Sequence, residues 1–110
     1  MSKIKMLNDE TWQDAIVNDN ACFKFVKCGA EWCAPCKIMA SVLDKVAEEL
    51  TSENLRFYEV NVDDSYGIVE KYLVQQVPTM ILFNKNGDEV SRIVSLVEED
   101  TLKTMLKNYV

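Results

Sequence analysis

The chain of 110 residues has no histidine and only three glycines and two prolines. A structural zinc site wants four ligands. Without histidine, all four cysteines (Cys22, Cys28, Cys33 and Cys36) would have to serve. There is no Pro/Gly-rich linker, internal repeat or low-complexity stretch, and at this length one domain over residues 1–110 is expected. No apolar run approaches the roughly 20 residues of a membrane span. The opening Met-Ser-Lys-Ile-Lys turns polar by Asn8, so a signal-peptide core is not present in it and a cytoplasmic location is expected. An excess of basic charge is also missing. With 18 acidic against 12 basic residues, the net charge of −6 argues against a nucleic-acid partner or an anionic membrane.

The remaining composition, 48% apolar and 27% charged, is ordinary for a globular domain. Ile4 to Leu7 reads as a first strand. Asp9 is placed to cap a helix in which Trp12, Ala15 and Ile16 share a face. Ala21 to Cys28 reads as a strand. From Ala34 to Leu50 the apolar residues recur every four positions (Ile38/Met39, Val42/Leu43, Val46/Ala47, Leu50), which predicts a long helix. Leu55 to Val62 is a further strand, and Ile68 to Leu73 a short helix. Met80 to Phe83 and Glu89 to Val94 flank an Asn86-Gly87 hairpin signal. Leu102 to Val110 stripes a last helix. The order β-α-β-α-β-α-β-β-α implies an α/β fold: parallel βαβ units plus an antiparallel pair in one mixed sheet, with helices on both faces.

Cys33 and Cys36 stand two residues apart at the start of the long helix. A helix N-terminus presents free N–H groups and the positive end of the macrodipole, so it favours a thiolate. Cys33, at the first turn, is expected to be the exposed nucleophile, and Cys36, one turn inward, the resolving thiol. Pro35 suits a first turn, where its missing N–H costs nothing. Zinc is disfavoured because Cys22 and Cys28 would lie roughly 20 Å apart along one extended strand. They are expected to be buried small apolar residues, and Trp12 a core aromatic.

Ala30-Glu31-Trp32-Cys33-Ala34-Pro35-Cys36-Lys37 resembles the active-site segment of the thioredoxin family, with Ala34 where a glycine is usual. Val60-Asn61-Val62-Asp63-Asp64 and Val77-Pro78-Thr79 resemble two further segments of that family, and the likeness runs from about Ile4 to Val110. The resemblance implies a thioredoxin fold with a central mixed five-stranded sheet. It implies thiol–disulfide exchange at Cys33/Cys36 that reduces protein disulfides, with no bound cofactor. Electrons would come from a thioredoxin reductase and so only indirectly from NADPH. It also implies a cis Pro78 facing the cysteines and a client surface of Trp32, Ala34, Pro35, Val77, Pro78 and Ser95. Partners would be the reductase and disulfide-containing clients, with the chain itself a monomer.

The chain departs from that pattern at several places. Lys27 stands where thioredoxins usually have a buried Asp, and Glu59 where many bacterial members have a lysine. The two are expected on neighbouring strands as a swapped pair that modulates thiol ionisation, or else Lys27 snorkels to the surface. Ser41 replaces a kinking proline, and Ser95 replaces a glycine of the client groove, which its side chain would narrow. Lys24, of opposite strand parity to Lys27, has no evident partner in the sequence. Two other readings stay open: a more oxidising, isomerase-like redox protein, and a thioredoxin-fold binding module with secondary catalysis.

Overall fold

Alternating and four-residue apolar periodicities succeed one another along the chain, and the computed structural model, which describes residues 3–110, follows them. The elements are β1 (Lys5–Leu7), a wide helical turn (Gln13–Val17), β2 (Phe23–Gly29), α1 (Ala34–Glu49), β3 (Leu55–Asn61), a tight turn (Val62–Asp64), α2 (Tyr66–Lys71), β4 (Thr79–Phe83), β5 (Glu89–Val94) and α3 (Glu99–Leu106), whose end tightens at Lys107–Tyr109. Met1 and Ser2, the first two residues of the expected domain, lie outside the described residues. The strands form one mixed sheet in the order β1-β3-β2-β4-β5. β2 runs parallel to β3 and antiparallel to β4.

Successive side chains of a strand point to opposite faces, so β2 feeds two cores. On one face Phe25 packs with Met39, Leu43, Val46 and Ala47 of α1, Phe57 of β3, and Leu102 and Leu106 of α3. On the other, Val26 and Cys28 pack with Trp12, Ile16, Tyr58, Ile81 and Phe83. Trp12 is buried, its indole N–H donating to the Tyr72 hydroxyl at 3.2 Å.

The first helix differs from expectation. Asn8, not Asp9, caps it, its side chain accepting from the backbone N–H groups of Glu10 (2.9 Å) and Thr11 (3.1 Å). The turn then widens, the Asn18 N–H reaching the Gln13 carbonyl at 2.9 Å, and the carbonyl of Ile16 accepts from the Lys24 ammonium at 2.9 Å. Asp9 instead caps α2, accepting from Gly67 N–H at 3.0 Å and Ile68 N–H at 2.9 Å. Ser65, the residue that precedes α2, makes no side-chain cap.

At the hairpin, Gly87 has φ of +86°, and a Cβ there would lie 2.9 Å from the Ile16 carbonyl oxygen. Glycine is required twice over, by backbone conformation and by close approach. The far end of α2 closes differently. Leu73 takes φ of +53°, with its N–H on the Glu70 carbonyl and that of Val74 on Val69, a left-handed cap normally filled by glycine.

The two ends of α2 therefore predict opposite effects in thermal melts. Asp9→Ala removes two capping bonds and lowers stability by about 1 kcal/mol. Leu73→Gly relieves left-handed strain at a side chain that is 70% exposed and packs little, and is expected to stabilise by up to about 1 kcal/mol. A Leu73→Gly protein that melts lower than wild type contradicts this account.

Candidate active site

β2 ends at Gly29, and four residues later the chain turns into α1 with Cys33 as its N-cap. Cys33 is extended (φ −95°, ψ 108°), and its sulfur accepts the Cys36 backbone N–H at 3.1 Å. That is the place where a free N–H and the helix dipole stabilise negative charge on sulfur. Pro35 lies in the first turn, where no intrahelical donor is lost. Cys33 and Cys36 form a disulfide with Cα atoms 5.2 Å apart.

The two sulfurs have different neighbours. Cys33 Sγ lies 3.8 Å from the Val77 carbonyl oxygen, on the β4 side. Cys36 Sγ lies over Gly29, where a Cβ would stand only 3.3 Å from it. The Val77–Pro78 bond is cis, and the Pro78 carbonyl accepts the Ser95 N–H at 2.8 Å. Ser95 has φ of +76°, so a residue with a side chain occupies the left-handed region at the rim of this groove. Cys33 was expected to be exposed; it is 5% exposed against 3% for Cys36. The reason is the approach of Val77, which covers the sulfur of the closed disulfide. Trp32 is 70% exposed and its indole N–H donates to Asp63 at 2.8 Å. Ala34 and Pro35 lie exposed beside it.

Lys27 and Glu59 are register partners on β2 and β3. Lys27 is 6% exposed, and its Nζ lies 3.7 Å from the Glu59 carboxylate, so it does not snorkel into bulk solvent. Both residues line a cavity of about 290 Å³ together with Gly29, Cys36, Lys37 and Asn61. The same point above Gly29 that is 3.3 Å from Cys36 Sγ is 3.7 Å from Lys27 Cε. Gly29 escaped notice in the sequence. The signal was its parity: two residues after Lys27, it occupies the same face and, lacking a side chain, makes room there for that of Cys36. Asp63, the anchor of Trp32, was likewise missed as a site residue.

Lys24 now has its partners. Fully buried on the opposite face, it donates to the carbonyls of Ile16 (2.9 Å), Asp19 and Lys85 (3.2 Å). Burial pulls its pKa below the ordinary lysine value, and the Asp19 carboxylate works against that shift. Cys22 and Cys28 are free thiols, both buried, and among the described residues no three cysteine or carboxylate side chains gather to hold a metal ion. Burial raises the Cys22 thiol and pushes Cys28 up to about 12. No helix among the described residues is long and apolar enough to cross a membrane.

The family model "Thioredoxin" matches residues 3–108. The chain is 34% identical over 106 residues to "Thioredoxin" of Chlamydia trachomatis serovar D, covering 96% of this chain and 98% of that protein. It is 30% identical over 109 residues to "Thioredoxin M-type, chloroplastic" of Spinacia oleracea, covering 99% of this chain and 59% of the spinach protein. This chain thus spans about three-fifths of the length of the chloroplast relatives it matches. The solved structure of Malassezia sympodialis thioredoxin (Mala s 13) superposes with a TM-score of 0.84 at 20% identity, over 99% of this chain and 92% of that one, a likeness of fold.

Burial also sets a prediction for the two free thiols. With the active-site disulfide closed, native protein should release no thionitrobenzoate from Ellman's reagent at pH 8, and two equivalents once guanidinium exposes Cys22 and Cys28. For Cys28 the folded pKa lies above the unfolded one. Its stabilising contribution is complete below the ordinary value of 9.0 and is lost as pH rises through about 12. Cys28→Ala should flatten that part of the alkaline stability profile; rapid titration of the native thiols would contradict their burial.

Proposed function

The chain belongs to the thioredoxin family and carries a Cys33–Cys36 pair at that family's active-site position, and from this premise we propose that it is a thiol–disulfide oxidoreductase that reduces protein disulfides. The observation that carries the reading is Cys33 as N-cap of α1 with the Cys36 N–H on its sulfur. As thiolate, Cys33 attacks a client disulfide, breaking its S–S bond and forming a mixed disulfide. Cys36 then attacks Cys33 Sγ and releases the client thiol, and the Cys33–Cys36 disulfide remains. No bound cofactor enters these steps.

The client surface is assigned to Trp32, Ala34, Pro35, Val77, Pro78 and Ser95. In support, Trp32 is exposed beside the disulfide, and the Val77 carbonyl stands next to Cys33, where an extended client segment can pair with it. The partners are disulfide-bearing proteins and a thioredoxin reductase that returns electrons from NADPH. The chain acts as one domain and as a monomer. A reducing, cytoplasmic setting suits two buried thiols left unpaired.

Lys27 and Glu59 are assigned as modulators. A cation near Cys36 stabilises thiolate more than it stabilises the uncharged disulfide, which favours the dithiol and raises the potential. Glu59 opposes that effect and is assigned as acceptor of the Cys36 proton; in support, both residues line the same cavity. This arrangement favours a second reading within redox chemistry, a more oxidising, isomerase-like protein.

Iodoacetamide should alkylate Cys33 well before Cys36 in the reduced protein, and Cys36→Ser should accumulate client mixed disulfides in an insulin assay. Preferential labelling of Cys36 would reverse the two roles. Lys27→Met should lower the potential of the pair by on the order of 30 mV, equivalent to about 1.4 kcal/mol, measured against glutathione. An unchanged potential would remove Lys27 from the modulating role.

A further inference from the structure

Residues 72–78 carry the chain from α2 to β4 without forming a helix or strand, and they end in the cis peptide whose Val77 carbonyl oxygen stands 3.8 Å from Cys33 Sγ. β5 holds this segment at both ends. At one end the Ser95 N–H donates to the Pro78 carbonyl at 2.8 Å. At the other, Arg92 Nη2 donates to the Tyr72 carbonyl at 2.7 Å, and Nη1 lies 3.5 Å from the Leu73 carbonyl oxygen. These carbonyls lie just past the end of α2, where intrahelical donors have run out. Arg92 is aimed at them by an irregularity in β5. Residues three apart on a regular strand point to opposite faces. Between the pairs Leu82–Ser91 and Phe83–Glu89 the register shifts, leaving Val90 as an extra residue. Such a bulge re-aims side chains, and here it brings Glu89 to the face of Arg92. The guanidinium makes a fork on the carboxylate, Nε to Oε2 at 2.8 Å and Nη2 to Oε1 at 2.7 Å. The side chains of the pair are 26% and 34% exposed, so it adds little stability by its charge alone. Its fixed two-point geometry is what it contributes.

We propose that Arg92, held by Glu89, is a positioning residue for the client groove. The Tyr72 ring, packed on Trp12 and Phe83, sets where α2 ends. The guanidinium sets the direction in which the backbone leaves it, and so places the Val77 carbonyl where an extended client segment pairs with it. Arg92 acts through the backbone of residues 72–78, not on the sulfurs. The two attachments to β5 divide the task. Pro78 is held by a backbone N–H, which no side-chain substitution removes, whereas the start of the segment is held by a side chain and so depends on sequence. The inference rests on the disulfide-reductase reading and deepens it. Arg92 gives the site its preference for disulfides carried on extended polypeptide over small disulfides, which make no use of backbone pairing.

The test compares a protein client with a small disulfide. Arg92→Gln removes the fork, Arg92→Lys keeps the charge without the planar fork, and Glu89→Gln removes the charge that orients Arg92. Circular dichroism verifies that each folds; should Arg92→Gln fail to, Glu89→Gln carries the test. Pre-reduced wild type and variants react in single turnover with insulin and, separately, with Ellman's reagent, and the potential of each is measured against glutathione. The insulin rate constant should fall about fivefold, the worth of one hydrogen bond, while the rate with Ellman's reagent stays within about twofold and the potential is unchanged. Amide exchange at Val74, whose N–H is bonded to the Val69 carbonyl beside the clamped carbonyls, should quicken in each variant. An insulin rate equal to wild type in every folded variant, an equal fall with Ellman's reagent, a shifted potential, or unchanged exchange at Val74 would each overturn the proposal. Failure of pre-reduced wild type to reduce insulin would instead overturn the reductase reading, and exchange at Val74, which needs no client, would still decide whether Arg92 holds the segment.

Discussion

A strand buried on both faces can carry a charged side chain only where a neighbouring element supplies the partner that water would have given. β2 is such a strand, paired on both edges and covered above and below, and it carries two lysines of opposite parity. Lys24 is met by three carbonyls, one from the wide helical turn, one from the loop after it and one from the β4–β5 hairpin. A single ammonium thereby ties three segments together beneath one core. Removing it would leave those carbonyls without their donor, at a cost of roughly 1–3 kcal/mol for each that stays dry.

Lys27 solves the same problem on the other face in a different way. Its partner is one carboxylate at 3.7 Å, and the two open on a cavity rather than on packed side chains. Lys24 is fully buried, its ammonium held by carbonyls alone. Lys27 stands two residues before Gly29 at the end of β2 and lines the same cavity as Cys36. At the other end of the site, the Cys36 N–H on the Cys33 sulfur is a free helix N-terminal donor that favours a thiolate there.

The chemistry and the order of elements were legible before any coordinates. Two cysteines at the head of a helix with four-residue apolar spacing place a reactive sulfur at a dipole terminus, and strand alternation puts Lys27 and Glu59 within reach of each other. These are local periodicities, set by 3.6 residues per helical turn and two per strand, so the chain states them wherever it goes. Positions far apart in sequence were not legible. Asp9 reads locally as the cap of its own helix, yet Asn8 caps that turn while Asp9 crosses to α2, 58 residues away.

What the sequence by itself determined is therefore the α/β element order, the redox pair and the presence of two lysines in the central strand. The tertiary structure decided how those lysines are satisfied, that the Val77 carbonyl stands against Cys33 in the closed disulfide, that Ser95 is held left-handed at the groove, and that Cys36 packs over Gly29. Each of these depends on the relative placement of segments joined only through the sheet. Backbone periodicity fixes a side chain's direction along its own element; only packing fixes what it meets there.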